Sequence, residues 1–438
     1  MAKRSRVFTP GLSSALNRRD LLRRAAAAGV AVPALSALLS EPAAAASKIK
    51  FVAMDYDAKM QDDTKALVDA FNGSQSDVEV DLQVISWSEG HDRLVTWISG
   101  NQAPDLANLS AGWMVEFNAI DVLEPLDDKF PAEFLAAFQP ASLDALRIDG
   151  KLMGLPYFLD PRALYYRKDL FDAAGLQAPV TWDDVQAAAK ALHNPPDVYG
   201  IGISSGDPSG GYDYYDYAYI GAGGISRFGE DGKSLLGSEI GVRAAQFLVD
   251  IAVTDQTSQP NPVNASRDND LQPLFMAGKL AILETGPWFP TMLKAQAPDI
   301  QYGIAKLPIA DASVTPRSAV WPDCVSMFKQ SENKEAAAAF LQYQFNKQNR
   351  LDFALQRGVI PERIDVGEDP AYATDDTARF FVGELANAIN VYNSPWPKQA
   401  QEFDIRSAEL SKAFLGEQSA EDAMKNAAQQ IDQINGVA

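Results

Sequence analysis

The chain has 438 residues, with 38 Lys and Arg against 58 Asp and Glu, which gives a formal net charge of −20. So acidic a balance argues against nucleic acid and anionic membrane surfaces as partners, because both are bound chiefly through Lys and Arg. The chain has one cysteine, Cys324, and two histidines, His91 and His193. A disulfide within the chain is excluded, and the dispersed His and Cys argue against zinc or copper. We expect no cofactor and no metal.

The first 46 residues have the three parts of an export signal. A basic stretch with the pair Arg18-Arg19 precedes an uncharged, Ala-rich run over 25–39, and residues 43–46 provide an Ala-x-Ala cleavage site. Paired arginines are typical of the twin-arginine export route, and the run is too short for a stable membrane span. We expect a mature, soluble periplasmic protein of 392 residues and net charge −25, with no lipid anchor because no cysteine follows the run.

Strands and helices alternate after the export signal. Apolar residues at every second position predict strands over 48–53 and 78–85, and a third strand begins at Pro104. Apolar residues on one face predict helices over 62–71 and 91–98. This alternation is typical of a parallel sheet covered by helices on both faces. The mature length exceeds what one core usually supports, which favours two domains.

Further helices are indicated in the second half. The segment Thr181–Asp184 has the spacing of a capping box before a helix over 185–192. The region 202–237 is rich in Gly, Ser, Asp and Tyr, which predicts loops around one short helix over 212–219. Amphipathic patterns predict long helices over 332–346 and 420–434.

Motifs for catalysis are incomplete. The segment Gly202–Gly206 matches the nucleophile elbow of serine hydrolases, but that fold needs a histidine after Ser204 and both histidines precede it. The glycines of 221–224 lack the spaced third glycine of a dinucleotide fingerprint. No spacing among the many carboxylates singles out an acid and a base, so a glycosidase pair stays open.

Tryptophans give the clearest indication of a ligand. Trp97 and Trp182 lie in or at predicted helices and are expected to be structural. The other five lie beside turn residues at the ends of predicted elements: Trp87, Trp113, Trp288, Trp321 and Trp396. In alternating folds, ligands bind where the loops at the carboxyl ends of strands converge. A Trp face stacks on the C–H face of a sugar ring, whose hydroxyls pair with polar side chains.

Several short segments follow one another over nearly the whole mature chain: 69–72 (DAFN), 103–106 (APDL), 123–128 (LEPLDD), 149–157 (DGKLMGLPY), 164–171 (LYYRKDLF), 223–224 (GG), 274–279 (LFMAGK), 286–288 (GPW), and 334–337 (KEAA) with 340–341 (FL). In this order they resemble the carbohydrate-type, maltose-binding-protein-like solute-binding proteins of ABC importers. The family usually has Tyr-Asn-Lys-Asp where this chain has Tyr166–Asp169.

The resemblance implies an α/β, two-lobed periplasmic binding protein fold of type II. The lobes are joined by hinge segments, and the ligand cleft lies between them. The implied N-terminal lobe holds 47–156 and 310–362, and the C-terminal lobe holds 157–309 and 363–438. The chain would first cross between lobes at Gly154–Tyr157, where an X-Pro step favours extended backbone. Ligand binding would close the lobes, as in the hinge closure of periplasmic binding proteins.

Ligand contacts are expected from the aromatic, acidic and basic residues near these junctions. The predicted stacking residues are Trp288 and Trp321, then Trp113, Tyr215 and Trp396, with Trp87 and Tyr56 also in the cleft. The predicted polar contacts are Asp160 and Asp323 as acceptors and Arg162 and Arg357 as donors. Gly223 and Gly224 would let the backbone approach the ligand closely.

The resulting hypothesis is a monomeric periplasmic receptor, without catalytic activity, for a neutral carbohydrate such as a sugar, oligosaccharide or polyol. It would deliver this ligand to the membrane permease of an ABC transporter. Two alternatives stay open. The same fold could bind a cation such as a polyamine, which would suit the acidic chain and an aromatic cage. The chain could also be a secreted carbohydrate-active enzyme.

Overall fold

The computed structural model describes residues 46–55, 58–206, 214–263, 265–385, 387–391, 394 and 396–437. The predicted export signal, apart from Ala46, lies outside the described residues, and so does Tyr56. Among the residues that are described, no helix combines the length and the apolar character needed to cross a membrane.

The strands fall into two main sheets and two short ladders. Their bounds are β1 Ser47–Asp55, β2 Val78–Ser86, β3 Leu106–Ser110, β4 Leu123–Glu124, β5 Arg147–Ile148, β6 Lys151–Leu152, β7 Leu155–Phe158, β8 Ala163–Arg167, β9 Tyr199–Ile201, β10 Leu280–Thr285, β11 Tyr302–Ala305, β12 Ala319–Val320, β13 Asp323–Phe328 and β14 Ile389–Asn390.

Helices connect and cover these strands. Their bounds are α1 Ala58–Ser74, α2 Trp87–Ser99, α3 Ala111–Ala119, α4 Ala132–Ala136, α5 Pro140–Asp144, α6 Lys168–Ala174, α7 Trp182–Leu192, α8 Tyr214–Gly221, α9 Glu239–Val249, α10 Gln272–Met276, α11 Phe289–Gln296, α12 Lys334–Gln344, α13 Lys347–Arg357, α14 Ile364–Gly367, α15 Pro370–Ala373, α16 Asp376–Leu385, α17 Gln399–Phe414 and α18 Ala420–Asn435. Two short π-helices lie at Asp250–Thr254 and Arg267–Leu271.

The first sheet has six strands in the order β2-β1-β3-β13-β4, and β7 also pairs with β13. Strands β1 and β3 are parallel, whereas β13 is antiparallel to β3, with Asp323 opposite Ser110. Strand β7 is antiparallel to β13, with Asp323 opposite Phe158. The ends of β3 and β7 and the start of β13 therefore share one edge of this sheet. The prediction of a parallel sheet fails at β13, which returns from far along the chain and fills a central position.

The second sheet has four strands in the order β11-β8-β10-β9. Strand β10 is parallel to β9 and antiparallel to β8, with Thr285 opposite Ala163. The end of β10 and the start of β8 therefore lie together. Since β7 belongs to the first sheet and β8 to the second, the chain changes sheet over residues 159–162. This change follows the predicted crossing at Gly154–Tyr157 instead of lying within it.

We call residues 159–162 the link, and two other segments of the chain run beside it. Ser318 Oγ accepts a hydrogen bond from the Arg162 amide at 2.9 Å and donates to the Arg162 carbonyl at 2.8 Å. On the other side, the Leu159 amide donates to the Ile360 carbonyl at 3.4 Å. The link is thus held by the segment before β12 and by the segment after α13. The exact boundaries of the two lobes stay a prediction.

The strands and helices predicted between residues 48 and 106 are confirmed, and each of the two helices begins four residues before its predicted start. The capping box is confirmed as well. Thr181 Oγ1 accepts from the Asp184 amide at 3.3 Å, and Asp184 Oδ2 accepts from the Thr181 amide at 2.8 Å. The predicted helices near residues 332–346 and 420–434 are α12 and α18.

A buried ion pair supports the link from the first lobe. Arg350 contacts Glu362 at 2.6 Å (Nε to Oε1) and 3.0 Å (Nη2 to Oε2), and both side chains are at most 3% exposed. Arg350 also donates to the carbonyl of Tyr157 in β7, and its guanidinium lies 4.2 Å from the ring centre of Phe353. Burial raises the pKa of Glu362, while the charge of Arg350 acts in the opposite direction. The cost of burying each charge is therefore offset only while the other is present.

Glu362→Ala is expected to lower the free energy of unfolding by about 3–5 kcal/mol, because it leaves the buried guanidinium of Arg350 without its carboxylate. Urea denaturation would measure this loss. Glu79→Ala is the control, since the Lys48–Glu79 pair is 72% and 50% exposed and such pairs contribute about 0–1 kcal/mol. Equal losses of unfolding free energy in the two variants would contradict the conclusion that the buried pair contributes more than the exposed one.

Candidate functional site

The candidate site lies where the link joins the facing edges of the two sheets. Asp160 and Arg162 belong to the link itself, and Trp321 and Asp323 lie at the start of β13. Trp288 follows the turn at the end of β10. The structure thus brings together five of the residues that the sequence predicts for the ligand site. Four of them, together with Tyr217, which was not predicted, form what we call the junction cluster: Asp160, Arg162, Trp288, Trp321 and Tyr217.

Arg162 occupies the centre of the junction cluster. Its guanidinium carbon lies 4.8 Å from the ring centre of Trp288 and 4.7 Å from that of Trp321. Its Nη2 donates to Asp160 Oδ2 at 2.9 Å, and the residue has no exposed surface. A planar, weakly hydrated guanidinium suits contact with indole faces better than an ammonium would.

Asp160 joins Arg162 to the second indole. Its Oδ1 accepts a hydrogen bond from the backbone amide of Trp321 at 3.0 Å, while its Oδ2 accepts from Arg162. Burial raises the pKa of Asp160, and the positive charge of Arg162 opposes that rise. Both carboxyl oxygens are therefore already engaged by protein donors. To accept a hydrogen bond from a ligand hydroxyl, as predicted, Asp160 would use the second lone pair of either oxygen.

The tyrosine of the junction cluster is Tyr217. Its ring meets Trp321 edge to face, with the ring centres 5.5 Å apart and an angle of 84° between the planes. Burial raises the pKa of its phenol to about 12. The predicted Tyr215 lies elsewhere: its hydroxyl donates to the Gly241 carbonyl at 3.1 Å, and Arg406 covers its ring at 5.1 Å. Residues two apart on a helix do not share a face, which separates the two tyrosines.

A second arginine, Arg267, approaches the junction cluster from a π-helix. Its guanidinium carbon lies 5.0 Å from the ring centre of Trp288. Nε and Nη2 bind the two carboxylate oxygens of Asp268 at 2.8 Å each. Arg267 was not predicted from the sequence, because it lies in no motif and no periodic pattern. The only signal in its segment is the charged run Arg267–Asp270.

Glu284 is the third residue missed from the sequence. It lies one residue before the end of β10 and is 6% exposed. Burial raises the pKa of its carboxyl group to about 8. The same carboxyl acts on the phenol of Tyr217, which places the two side chains within electrostatic reach. The available signal was a single ionisable residue in an otherwise uncharged strand.

Two predicted tryptophans form a separate aromatic group in the first lobe. The ring centres of Trp87 and Trp113 are 5.0 Å apart, and His91 lies 5.4 Å from Trp113. His91 Nε2 is 2.9 Å from a carboxylate oxygen of Glu116, which raises the pKa of the imidazole. Both tryptophans are less than 10% exposed. Trp113 follows the end of β3, at the same sheet edge as Asp323.

The end of α13 also reaches the junction. Arg357 is its last residue and is 9% exposed. The next residue, Gly358, has a φ of +68°, and a Cβ there would lie 2.6 Å from Thr291 Oγ1 and 3.2 Å from the Pro287 carbonyl. Arg357 therefore stands beside the turn that carries Trp288. Its contact with a ligand stays a prediction.

The remaining predicted residues have local contacts. Gly223, with a φ of +98°, follows the end of α8, and a Cβ on Gly224 would overlap the ring of Tyr219 at 2.2 Å. Trp396 donates from Nε1 to the Gly232 carbonyl at 2.9 Å. The structure does not bring these three residues into the junction cluster through any contact described, and their ligand roles stay predictions.

The chemistry of the junction suits binding of a polar ligand. Two indoles, a phenol, two guanidiniums and two carboxyl groups offer apolar surface together with donors and acceptors. Burial raises the pKa of the Cys324 thiol to about 12, so this cysteine is not a thiolate at neutral pH. Within the described part of the chain, no three His, Cys, Asp or Glu side chains are grouped so as to hold a metal ion.

Two α/β lobes with a polar and aromatic junction between their sheets define a two-lobed binding protein. Residues 57–350 match the family described as bacterial extracellular solute-binding proteins. The chain belongs to this family, and both the family resemblance and the two-lobed fold expected from the sequence are confirmed.

Relatives and solved structures agree with this assignment over most of the chain. BAB2_0491 of Brucella abortus, described only in general terms as a binding protein, is 29% identical over 403 residues, which cover 91% of this chain and 96% of the relative. An arabinooligosaccharide-binding protein of Halalkalibacterium halodurans is 23% identical over 377 residues, covering 81% and 82%. An ABC transporter solute-binding protein of Thermotoga lettingae, solved with α-D-tagatose, has a TM-score of 0.80 and 25% identity, covering 89% and 100%.

Glu284→Gln is expected to stabilise the ligand-free protein increasingly as pH rises. The pKa of Glu284 rises from 4.5 to about 8 on folding. Between these values the folded protein keeps a proton that the unfolded chain releases, so the free energy of unfolding of the unmodified protein falls as pH increases. Glutamine does not titrate and escapes this loss.

Thermal denaturation from about pH 4.5 to about pH 8 would measure the difference in Tm between the variant and the unmodified protein. This difference should grow across the range. Glu79→Gln, at an exposed position, is the control and should show a constant difference. A Tm difference for Glu284→Gln that stays constant with pH would contradict a raised pKa of Glu284 in the folded protein.

Proposed function

We propose that this protein captures a neutral carbohydrate between its two lobes and delivers it to the permease of an ABC transporter. The observation that carries the proposal is the junction cluster, in which Arg162 and Asp160 lie against the indoles of Trp288 and Trp321. Indole faces match the C–H surfaces of a sugar ring, and the surrounding donors and acceptors match its hydroxyls. The relatives that bind arabinooligosaccharide or tagatose support the same ligand class.

The charge pattern of the junction favours a neutral ligand over a polyamine. Arg162 is paired with Asp160, and Arg267 is paired with Asp268. Two guanidiniums beside Trp288 oppose the approach of a cation to that indole. A cationic ligand would add a buried positive charge without a compensating negative charge, which is costly. A neutral polyhydroxyl ligand leaves both pairs intact.

The proposal assigns roles to individual residues. Trp288 is the principal stacking residue, because it keeps some exposed surface, whereas Trp321 has none in this arrangement. Arg357 and Asp323 contribute hydrogen bonds from the first lobe. The protein acts as a monomeric receptor without turnover, so labelled oligosaccharides incubated with it should be recovered unchanged.

A thermal-shift screen tests the ligand class. Ligands that bind only the folded protein raise its apparent stability by mass action, by about 2.7 kcal/mol at a hundred times Kd. D-Tagatose, arabinotriose, maltotriose and D-mannitol represent the carbohydrates and polyols, and spermidine represents the polyamines. An increase in Tm with at least one of the first four, and none with spermidine, is expected. A shift with spermidine alone would contradict the proposal.

Trp288→Ala is expected to weaken binding of the carbohydrate found in this screen by at least about tenfold, or about 1.4 kcal/mol. The loss follows from removal of the exposed indole surface at the junction. Isothermal titration calorimetry measures it. Trp97→Ala is a matched control, because Trp97 lies on α2, outside the junction cluster. Unchanged affinity in Trp288→Ala would remove this residue from the site.

We also propose export to the periplasm by the twin-arginine route, on the strength of Arg18-Arg19 before the apolar run. Replacing both arginines by lysine keeps the charge but removes the pair. The variant should accumulate in the cytoplasm of the producing bacterium, as immunoblots of cell fractions would show. Unchanged export would favour the general secretory route and leave the binding function unaffected.

A further inference from the structure

Glu284 lies at the junction of the lobes without belonging to the ion pairs described above. Its strand, β10, ends one residue later and leads through Gly286 and Pro287 into Trp288. On the neighbouring strand β8, Leu164 is opposite Glu284 and Ala163 is opposite Thr285. Arg162 directly precedes that strand. Glu284 therefore lies near the end of the strand that leads to Trp288 and beside the strand that follows Arg162.

The Glu284 carboxyl group has no hydrogen bond and no ion pair with any described residue. Its backbone carbonyl accepts a hydrogen bond of 3.2 Å from the Tyr214 hydroxyl. A carboxyl group that is only 6% exposed and has no partner among the described residues costs free energy unless something else pairs with it.

Other acids with comparable burial after residue 200 are paired. Glu362 binds Arg350, and Asp216 binds Arg406. Glu402 accepts from Ser394 and Asn435, and Glu384 pairs with Lys306. Their partners explain why these acids are tolerated in the interior. No partner among the described residues offers such an explanation for the carboxyl of Glu284.

The surroundings of Glu284 favour its neutral form. Burial raises its pKa to about 8, so most molecules hold the proton at neutral pH. Unlike a carboxylate, a protonated carboxyl group both donates and accepts a hydrogen bond. The charges of Arg162 and Arg267 act on the phenol of Tyr217, as Glu284 does, so both positive charges lie near the same space. This arrangement disfavours an ammonium group and suits an uncharged oxygen.

We propose that Glu284 is a ligand-binding residue whose protonated carboxyl group donates a hydrogen bond to a hydroxyl or ring oxygen of a neutral carbohydrate. The inference rests on the proposed function and adds a specificity-determining residue to it. In its neutral form the Glu284 side chain offers one donor and one acceptor without a charge, which matches a hydroxyl group of the ligand. Glu284 lies four residues before Trp288 in the chain, and its carboxyl acts electrostatically on Tyr217 of the junction cluster.

Two substitutions separate the donor role from a role in folding. Glu284→Gln keeps a donor and an acceptor without charge, and Glu284→Leu keeps a similar volume but no polar group. Calorimetric titrations at neutral pH with D-tagatose, arabinotriose, maltotriose and D-mannitol would compare both variants with the unmodified protein. Glu402→Gln is the matched control, since this acid is also buried but is paired within the protein.

For each probe that binds the unmodified protein, Glu284→Gln and Glu402→Gln should bind within about threefold, and Glu284→Leu at least about tenfold more weakly, because the buried ligand oxygen loses its donor. The Tm of Glu284→Leu should equal or exceed that of the unmodified protein at neutral pH, which would exclude misfolding as the cause.

Three results would overturn the inference. Equal affinity of Glu284→Leu and the unmodified protein would show that Glu284 does not contact the ligand. Equal loss in Glu284→Gln and Glu284→Leu would show that a charged carboxylate is needed instead of a donor. If none of the four probes bound the unmodified protein, the carbohydrate function itself would fail, and the role of Glu284 with it.

Discussion

The arrangement of the junction depends on one buried guanidinium, that of Arg162. A fully buried cation is costly, and here the cost is offset by a carboxylate and by two indole faces. These compensating groups come from different parts of the chain: Asp160 from the link, Trp288 from the end of β10 and Trp321 from the start of β13. A single charge therefore requires the edges of both sheets to meet at one place.

The same interaction limits how a ligand can use the aromatic residues. Arg162 already covers part of each indole, and the edge of Tyr217 meets Trp321 from another side. The remaining indole surface belongs mainly to Trp288, which Arg267 also approaches. Because both arginines carry their own acids, recognition depends on the directions of hydrogen bonds more than on net charge. This kind of recognition is well suited to distinguishing sugars that differ in one hydroxyl.

Much of the fold was accessible from the sequence, because its determinants are local. The spacing of apolar residues predicted most of the strands and helices between residues 48 and 106. The capping-box spacing of Thr181–Asp184 predicted the start of a helix that the structure contains. The family resemblance implied two lobes. The central antiparallel strand β13 could not be deduced from local patterns, since two of its neighbours in the sheet, β3 and β4, lie over 200 residues earlier in the chain.

The candidate site was predictable in part for a similar reason. Trp288, Trp321, Asp160 and Arg162 lie in segments that the turn residues or the family motifs single out. The choice of Tyr215 over Tyr217 depended on the rotation of a short helix, which five closely spaced tyrosines do not determine. Arg267 and Glu284 emerge only from tertiary packing: a π-helix carries one of them to Trp288, and burial on β10 gives the other its protonation state.

The position of β13 has a consequence for how the molecule is made. Its strand fills the space between β3 and β4, yet it emerges from the ribosome only after the whole second sheet has been synthesised. The first lobe cannot complete its core early, and its final pairing closes a very long loop. The two lobes are therefore not independent folding units in order of synthesis. A chain cut between β11 and β12 would leave an open sheet with unpaired strand edges, which favours aggregation over a stable half-receptor.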